Sequence, residues 1–166
     1  MVLKKNRMDN NMKQEVKNYN LVARLIHWLS ALVIIGMFAI GLWMVDLSYY
    51  SEWYRTAPHW HKSVGILLAV LTIFRFIWRH ITTSPKTEGS AFERVVARVV
   101  HGVMYLLLIT LFVSGYLIST EDGRSIDVFN LFSVPGLGAL FEGQADISGE
   151  IHFYTAWALI IFAAVH

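Results

Sequence analysis

From Leu25 to Val45 the chain runs 21 residues without a formal charge, and from Val99 to Thr120 it does so for 22 more. A helix needs about 20 apolar residues to cross a hydrocarbon core of about 30 Å, so each run predicts a membrane span. Ala57 to Phe74 is a third candidate, broken only by Lys62, whose stem snorkels from a helix end. A fourth begins at Ile151 and stays apolar to His166, where the sequence stops, so the chain reads as truncated in its fourth helix. Composition agrees: 55% hydrophobic, 16% charged and a mean hydropathy of +0.48, where soluble domains sit near ~45–50% and ~25%. A soluble enzyme is excluded. The absence of cysteine excludes a disulfide framework, a zinc ribbon, a thiolate-held iron–sulfur cluster and thioether attachment of a cofactor.

The basic residues set the expected orientation. Lys4, Lys5, Arg7, Lys13, Lys17 and Arg24 precede the first span, and Arg75, Arg79, Lys86, Arg94 and Arg98 lie between the second and third. Eleven of the 14 basic residues therefore fall on one side, leaving Arg55, Lys62 and Arg124 on the other. Because Lys and Arg stay in the cytoplasm, both termini are expected inside. The segments 46–60 and 121–150, with eight acids, are expected outside. The predicted fold is an all-α membrane protein, an antiparallel four-helix transmembrane bundle with both termini cytoplasmic. Residues 1–20 form a polar cytoplasmic segment and 21–166 the membrane domain. The first apolar run is longer than a signal-peptide core and lacks a small-x-small cleavage site, so it is retained as a helix. A net charge of +2 gives no reason to expect nucleic acid.

Trp43, Tyr49, Tyr50, Trp53, Tyr54 and Trp60 gather at the expected outer ends, where interfacial anchoring suffices to explain them. The 121–150 segment interleaves Ile126, Val128, Phe129, Leu131 and Phe132 with Pro135, Gly136 and Gly138, and is expected to cap the bundle as a short amphipathic helix.

Ionisable side chains inside spans are rare and mark function by default. His27, His61, His101 and His152 lie in the spans or just inside their ends, with His166 deep in the fourth. His152 and His166 are 14 residues apart, which is about 21 Å along an axis and within about 40° of one face. One helix thus carries an imidazole near each membrane surface. His61 matches His152 in depth, and His27 matches His166. His101, at the level of His27, competes to pair with His166 or lines the same pocket. His59 and His80 read as surface or interfacial residues.

Zinc asks for third and fourth ligands that the spans do not supply, and copper or di-iron sites add sulfur or carboxylates. Haem brings four nitrogens and needs two axial ligands, for which histidine is common. It also suits a four-helix bundle core. Gly36, Gly41, Gly65, Gly102 and Gly115 would admit a macrocycle, and equally would serve close helix packing. Arg24, Lys62, Arg75 and Arg98 are candidates to pair with its propionates. Two imidazoles fill both axial positions, which favours outer-sphere electron transfer, and two stacked haems make a conduit across the membrane.

With that arrangement in view, the chain resembles the bacterial cytochrome b561 family of di-haem membrane proteins, including its superoxide-oxidising members. The resemblance rests on R-L-I-H-W at 24–28, H-K-S-V-G-I at 61–66, H-G-V-M-Y-L-L-L at 101–108, and I-H-F-Y-T-A-W through A-V-H within 151–166. It implies ligands from helices one, two and four: His27 and His166 on an inner haem b, His61 and His152 on an outer one, with His101, Lys62 and Arg24 as pocket residues. The expected function is electron transfer between the quinone pool, such as ubiquinone, and a periplasmic donor or acceptor. Two narrower versions are a superoxide:quinone oxidoreductase and a haem anchor subunit for a periplasmic redox protein. A haem-free metal transporter predicts a colourless protein.

Overall fold

The computed structural model describes residues 21–82 and 89–165. Four helices dominate it: α1 (Leu21–Val45), α2 (Thr56–Ile81), α3 (Ala91–Thr120) and α4 (Gln144–Val165). All four are long and apolar enough to cross a membrane. Between α3 and α4 lies a two-stranded hairpin, β1 (Ile126–Val128) and β2 (Phe132–Val134). The expected polar segment 1–20 and the predicted ligand His166 lie outside the described residues.

Local chemistry sets the helix ends. Pro58 sits in the first turn of α2, where its missing N–H is no loss. A capping box opens α3: Ser90 Oγ accepts from Glu93 N (3.3 Å) and the Glu93 carboxylate accepts from Ser90 N (2.6 Å). Gln144 starts α4 fully buried; its side chain accepts from Leu140 N (2.8 Å) and donates to the Leu117 carbonyl (2.9 Å).

Neighbouring helices run antiparallel. His27, early in α1, meets Arg75, late in α2, while Gly41, late in α1, lies against His61, early in α2. Tyr105 of α3 meets Phe76 of α2, and Ser114 of α3 meets His152 of α4. Phe38 against Trp157 (ring centroids 4.9 Å apart) joins α1 to α4 and closes the bundle. The start of α1 and the end of α4 therefore share one end.

The burial pattern departs from that of a protein folded in water: Leu68, Leu108 and Leu159 share the interior with small polar residues. Leu25, Leu32, Ile73 and Leu106 are exposed, whereas Ser30, Ser63, Ser114, Thr120 and Ser148 are buried. Lipid tails are as apolar as leucine, so burying leucine gains little, and small residues let the helices approach. Ser30 and Ser114 return their hydroxyls to the Ile26 and Thr110 carbonyls (2.7 and 2.6 Å), so neither serine leaves its donor stranded.

The 121–150 segment corrects the expectation of an amphipathic helix. Phe129 and Asn130 take positive φ (48° and 58°), and Leu131 N donates to the Val128 carbonyl (2.9 Å), the pattern of a type I′ hairpin turn. Ser63 of α2 holds the turn, donating to the Asp127 carbonyl (3.2 Å) and accepting from Phe129 N (3.1 Å). Ile126 and Val128 are buried. A helix is further opposed at Gly136, whose absent Cβ would collide with the Arg124 carbonyl. Residues 144–150 of the expected loop join α4, which starts seven residues earlier than the apolar run at Ile151.

Candidate functional site

One tier of histidines is assembled by α2 and α4. The imidazoles of His61 and His152 face each other with ring centroids 6.3 Å apart and planes inclined at 68°. A metal–imidazole bond of about 2.0–2.1 Å, plus about 1.1–1.2 Å from nitrogen to ring centre, puts two rings gripping one ion about 6.3 Å apart. The observed separation has that span.

His152 has its tautomer fixed from behind. Its Nδ1 is 3.1 Å from the Leu111 carbonyl, which can only accept, so Nδ1 carries the hydrogen and Nε2 keeps its lone pair. Ser114 Oγ, itself donating to Thr110, is also 3.1 Å from Nδ1. His61 Nδ1 is buried and has no hydrogen-bond partner among the described residues. Glycines back both rings. A Cβ at Gly115 would lie 3.2 Å from His152 Cε1, and one at Gly41 would lie 3.4 Å from His61 Cε1.

The pair opens into a cavity of about 590 Å³ lined by Met37, Phe38, Gly41, Gly65, Leu108 and Leu111 among others. That volume suits a cofactor. At its rim stand Lys62, Asp122 and Arg124. Asp122 pairs with Arg124, whose Nε donates to the carboxylate at 2.6 Å. That guanidinium, with Lys62 further off, holds the Asp122 carboxyl below its ordinary range. Among the described residues no three His, Asp or Glu side chains come together as a metal site. An ion between His61 and His152 would thus need its remaining ligands from a bound group, which haem supplies. Two imidazoles, glycine cradles and an apolar cavity fit it.

The second tier lies 14 residues along each helix: His27 from Gly41 on α1, Arg75 from His61 on α2, about 21 Å away. There Arg75 donates to His27 Nδ1 (2.9 Å) and sits over the Tyr105 ring, 6.0 Å from its centroid. The expected partner of His27, His166, is outside the described residues. His101 directs Nδ1 to the carbonyl of Ala97 on its own helix (2.7 Å). Arg24 lies one turn before His27, away from the lining of the cavity. His59 packs on Phe129 at the hairpin, and His80 bonds the Phe76 carbonyl (2.8 Å).

Of the five glycines singled out from sequence, Gly41, Gly65 and Gly115 line the cavity, whereas a Cβ at Gly36 or Gly102 would meet nothing within 4 Å. Sequence reasoning missed Ser114, Asp122 and Arg124. Ser114 has a readable signal, a hydroxyl beside Gly115 in an apolar run; the other two depend on how the loop folds back.

A family model described as prokaryotic cytochrome b561 matches residues 18–166. A curated protein of Escherichia coli (strain K12), cytochrome b561 homolog 2, is 45% identical over 152 residues, covering 90% of this chain and 81% of that protein.

Proposed function

Since the chain belongs to the prokaryotic cytochrome b561 family, b-type haem proteins that transfer electrons as multi-pass components of the inner membrane, we propose that it carries two haems b and moves electrons between the quinone pool and a periplasmic donor or acceptor. His61 and His152 are assigned to the outer haem, His27 and His166 to the inner one. The cytoplasmic placing of both termini is part of this reading and rests on the Lys and Arg distribution.

The observation that carries the assignment is the facing pair of imidazoles, 6.3 Å apart with glycine behind each. Haem held by His61 and His152 would supply a one-electron couple. The protein's part is to orient and to exclude. Leu111 and Ser114 hold His152 in the tautomer that presents Nε2. Gly41 and Gly115 let the rings sit close to the helix backbones. The apolar lining keeps water away from the ligands, and the cations Lys62 and Arg124 stand at the rim for propionate carboxylates.

A second reading, an anchor that passes electrons to a periplasmic redox protein, is favoured by the loop after α3, where Leu131, Leu137 and Leu140 are exposed on a well-bonded hairpin and its continuation. Superoxide turnover by the isolated protein would favour the oxidoreductase version; copurification of a partner without turnover would favour the anchor.

The test is a reduced-minus-oxidised visible spectrum with pyridine haemochrome quantification. Two haems b per chain are expected. His61→Ala and His152→Ala should each lose one, and the double variant no more than one. Colourless protein, or loss of separate haems by those two variants, refutes the assignment.

A further inference from the structure

The tier at His27 contains more hydrogen-bond donors than acceptors. Arg75 lies six residues before the end of α2, about 9 Å inside it, and among the described residues no carboxylate pairs with it, the Asp122–Arg124 ion pair lying at the rim of the other tier. Its guanidinium has five N–H groups. It spends one on His27 Nδ1 (2.9 Å), and its face lies over Tyr105. Trp78 is one turn on from Arg75, on the same face of α2. Trp78 Nε1 and the Tyr105 hydroxyl are both buried, and neither has a hydrogen-bond partner among the described residues. Neighbouring rings fix them: Phe74 stacks on Trp78 (5.6 Å) and Phe76 meets Tyr105 edge-on (5.9 Å).

Buried donors are seldom left unpaired, and a cation inside a span marks a ligand or ion path by default. Indole N–H is a donor only, and guanidinium cannot give up its proton. More protein donors would not satisfy such a group; an acceptor would, and the positive charge selects one with negative charge or a strongly polarised oxygen.

We infer that Arg75, Trp78 and Tyr105 form a binding site for the acceptor oxygen of a membrane-embedded redox group, a carboxylate or a quinone-type carbonyl. The site rests on the reading that the His27 tier belongs to an electron-transfer path. The chemistry has two sources there: a propionate of the haem assigned to His27, or the head group of a quinone.

The bond between Arg75 and His27 is part of the device. A nitrogen that accepts from arginine carries no hydrogen, so in this arrangement the hydrogen of neutral His27 is on Nε2. A histidine that ligates metal normally does the reverse, offering one nitrogen to the metal and donating N–H from the other. An oxygen that draws the Arg75 guanidinium away releases Nδ1 to carry that hydrogen, so occupation of the site and readiness of His27 as a ligand go together.

The experiment uses the full chain in nanodiscs with Arg75→Gln, Arg75→Lys, Trp78→Phe and Tyr105→Phe; the two ring variants remove only a donor and retain the packing. Two quantities are read: the rate at which haem is lost to excess apomyoglobin, and the dissociation constant of decylubiquinone by equilibrium dialysis. If the oxygen is a propionate, one haem leaves at least tenfold faster in Arg75→Gln and several-fold faster in the ring variants, with quinone affinity unchanged. If it is a quinone carbonyl, the dissociation constant rises by those factors and haem loss does not change. Arg75→Lys, which keeps the charge and loses the fork, should fall between. Variants that all hold haem and quinone as the wild type does overturn the inference and leave the two-haem reading standing. A colourless wild type refutes that reading instead, and dialysis of the same protein still decides the site: quinone binding weakened by Arg75→Gln supports it, and binding that is absent or unaltered overturns it.

Discussion

A graded alanine series at the glycines separates haem binding from helix stability, because the two should move in opposite directions. An added Cβ at Gly115 would sit 3.2 Å from His152 Cε1 and 3.4 Å from Nδ1. Carbon–carbon contacts are optimal at about 3.5–4.0 Å, so the ring must retreat by a few tenths of an ångström. It retreats from the Leu111 carbonyl and Ser114 hydroxyl, whose contacts are already 3.1 Å. Weakening a hydrogen bond of that kind costs about 0.5–1.5 kcal/mol, and about 1.4 kcal/mol is tenfold in an equilibrium constant. Gly115→Ala should therefore weaken the outer haem about two- to twelvefold. Glycine to alanine inside a helix meanwhile adds about 0.5–1 kcal/mol to helix stability. Gly41→Ala, with its new atom 3.4 Å from His61 Cε1, should weaken haem less. Gly36→Ala and Gly102→Ala, with nothing within 4 Å, should leave it unchanged and show the stability gain alone. The assay is haem transfer to excess apomyoglobin followed in the Soret band, beside thermal unfolding of the apoprotein. Equal haem loss at all four positions, or undiminished retention in Gly115→Ala, would refute the claim that close approach of His152 to α3 shapes the site.

Ser63→Ala removes the two hydrogen bonds that hold the hairpin turn, and leaves the Phe129 N–H without its partner. A loss of about 1–3 kcal/mol is expected, read as faster amide exchange over residues 126–134 with the four helices unaffected. The Asp122 carboxyl, lowered by Arg124, contributes stability that is present above its unfolded pKa and lost as pH falls through its lower folded value. Acid should therefore loosen the rim selectively, and Asp122→Asn should abolish that pH dependence when the NMR resonance of the Arg124 Nε–H is followed through the acid range. His101→Ala should keep both haems, since Nδ1 is directed to its own helix, whereas His27→Ala should lose one; the opposite result would exchange their roles.

The membrane made most of the fold legible. Where every span must be apolar, charge-free runs locate helices directly, and Leu25–Val45 ends where α1 ends. The other boundaries moved because helices continue past the hydrocarbon: α3 has 30 residues, and its first turns carry Glu93, Arg94 and Arg98 behind a capping box that only hydrogen-bond geometry reveals. The His61–His152 pairing was readable because depth along a helix is simple arithmetic, at 1.5 Å per residue. The hairpin was not, because its turn depends on Ser63, more than sixty residues away in sequence.

Hydrophobic periodicity is silent on which face of each helix points inward, and the physics explains why. In water an apolar stripe turns to the core; in lipid both surroundings are apolar, and the choice falls to packing and polar satisfaction. Ser30, Ser63 and Ser114 are buried while Leu32 and Leu106 face outward, so the small and polar positions mark the interior. The same positions serve the site: Ser63 fixes the hairpin and Ser114 contacts His152, next to the glycine that lets the ring approach. Exchanging Ser114 and Gly115 would preserve composition and apolar length while displacing both the hydrogen-bond partner and the gap. The ordering of small residues around each histidine, rather than the histidine alone, is what prepares this bundle to hold a ligand between two helices.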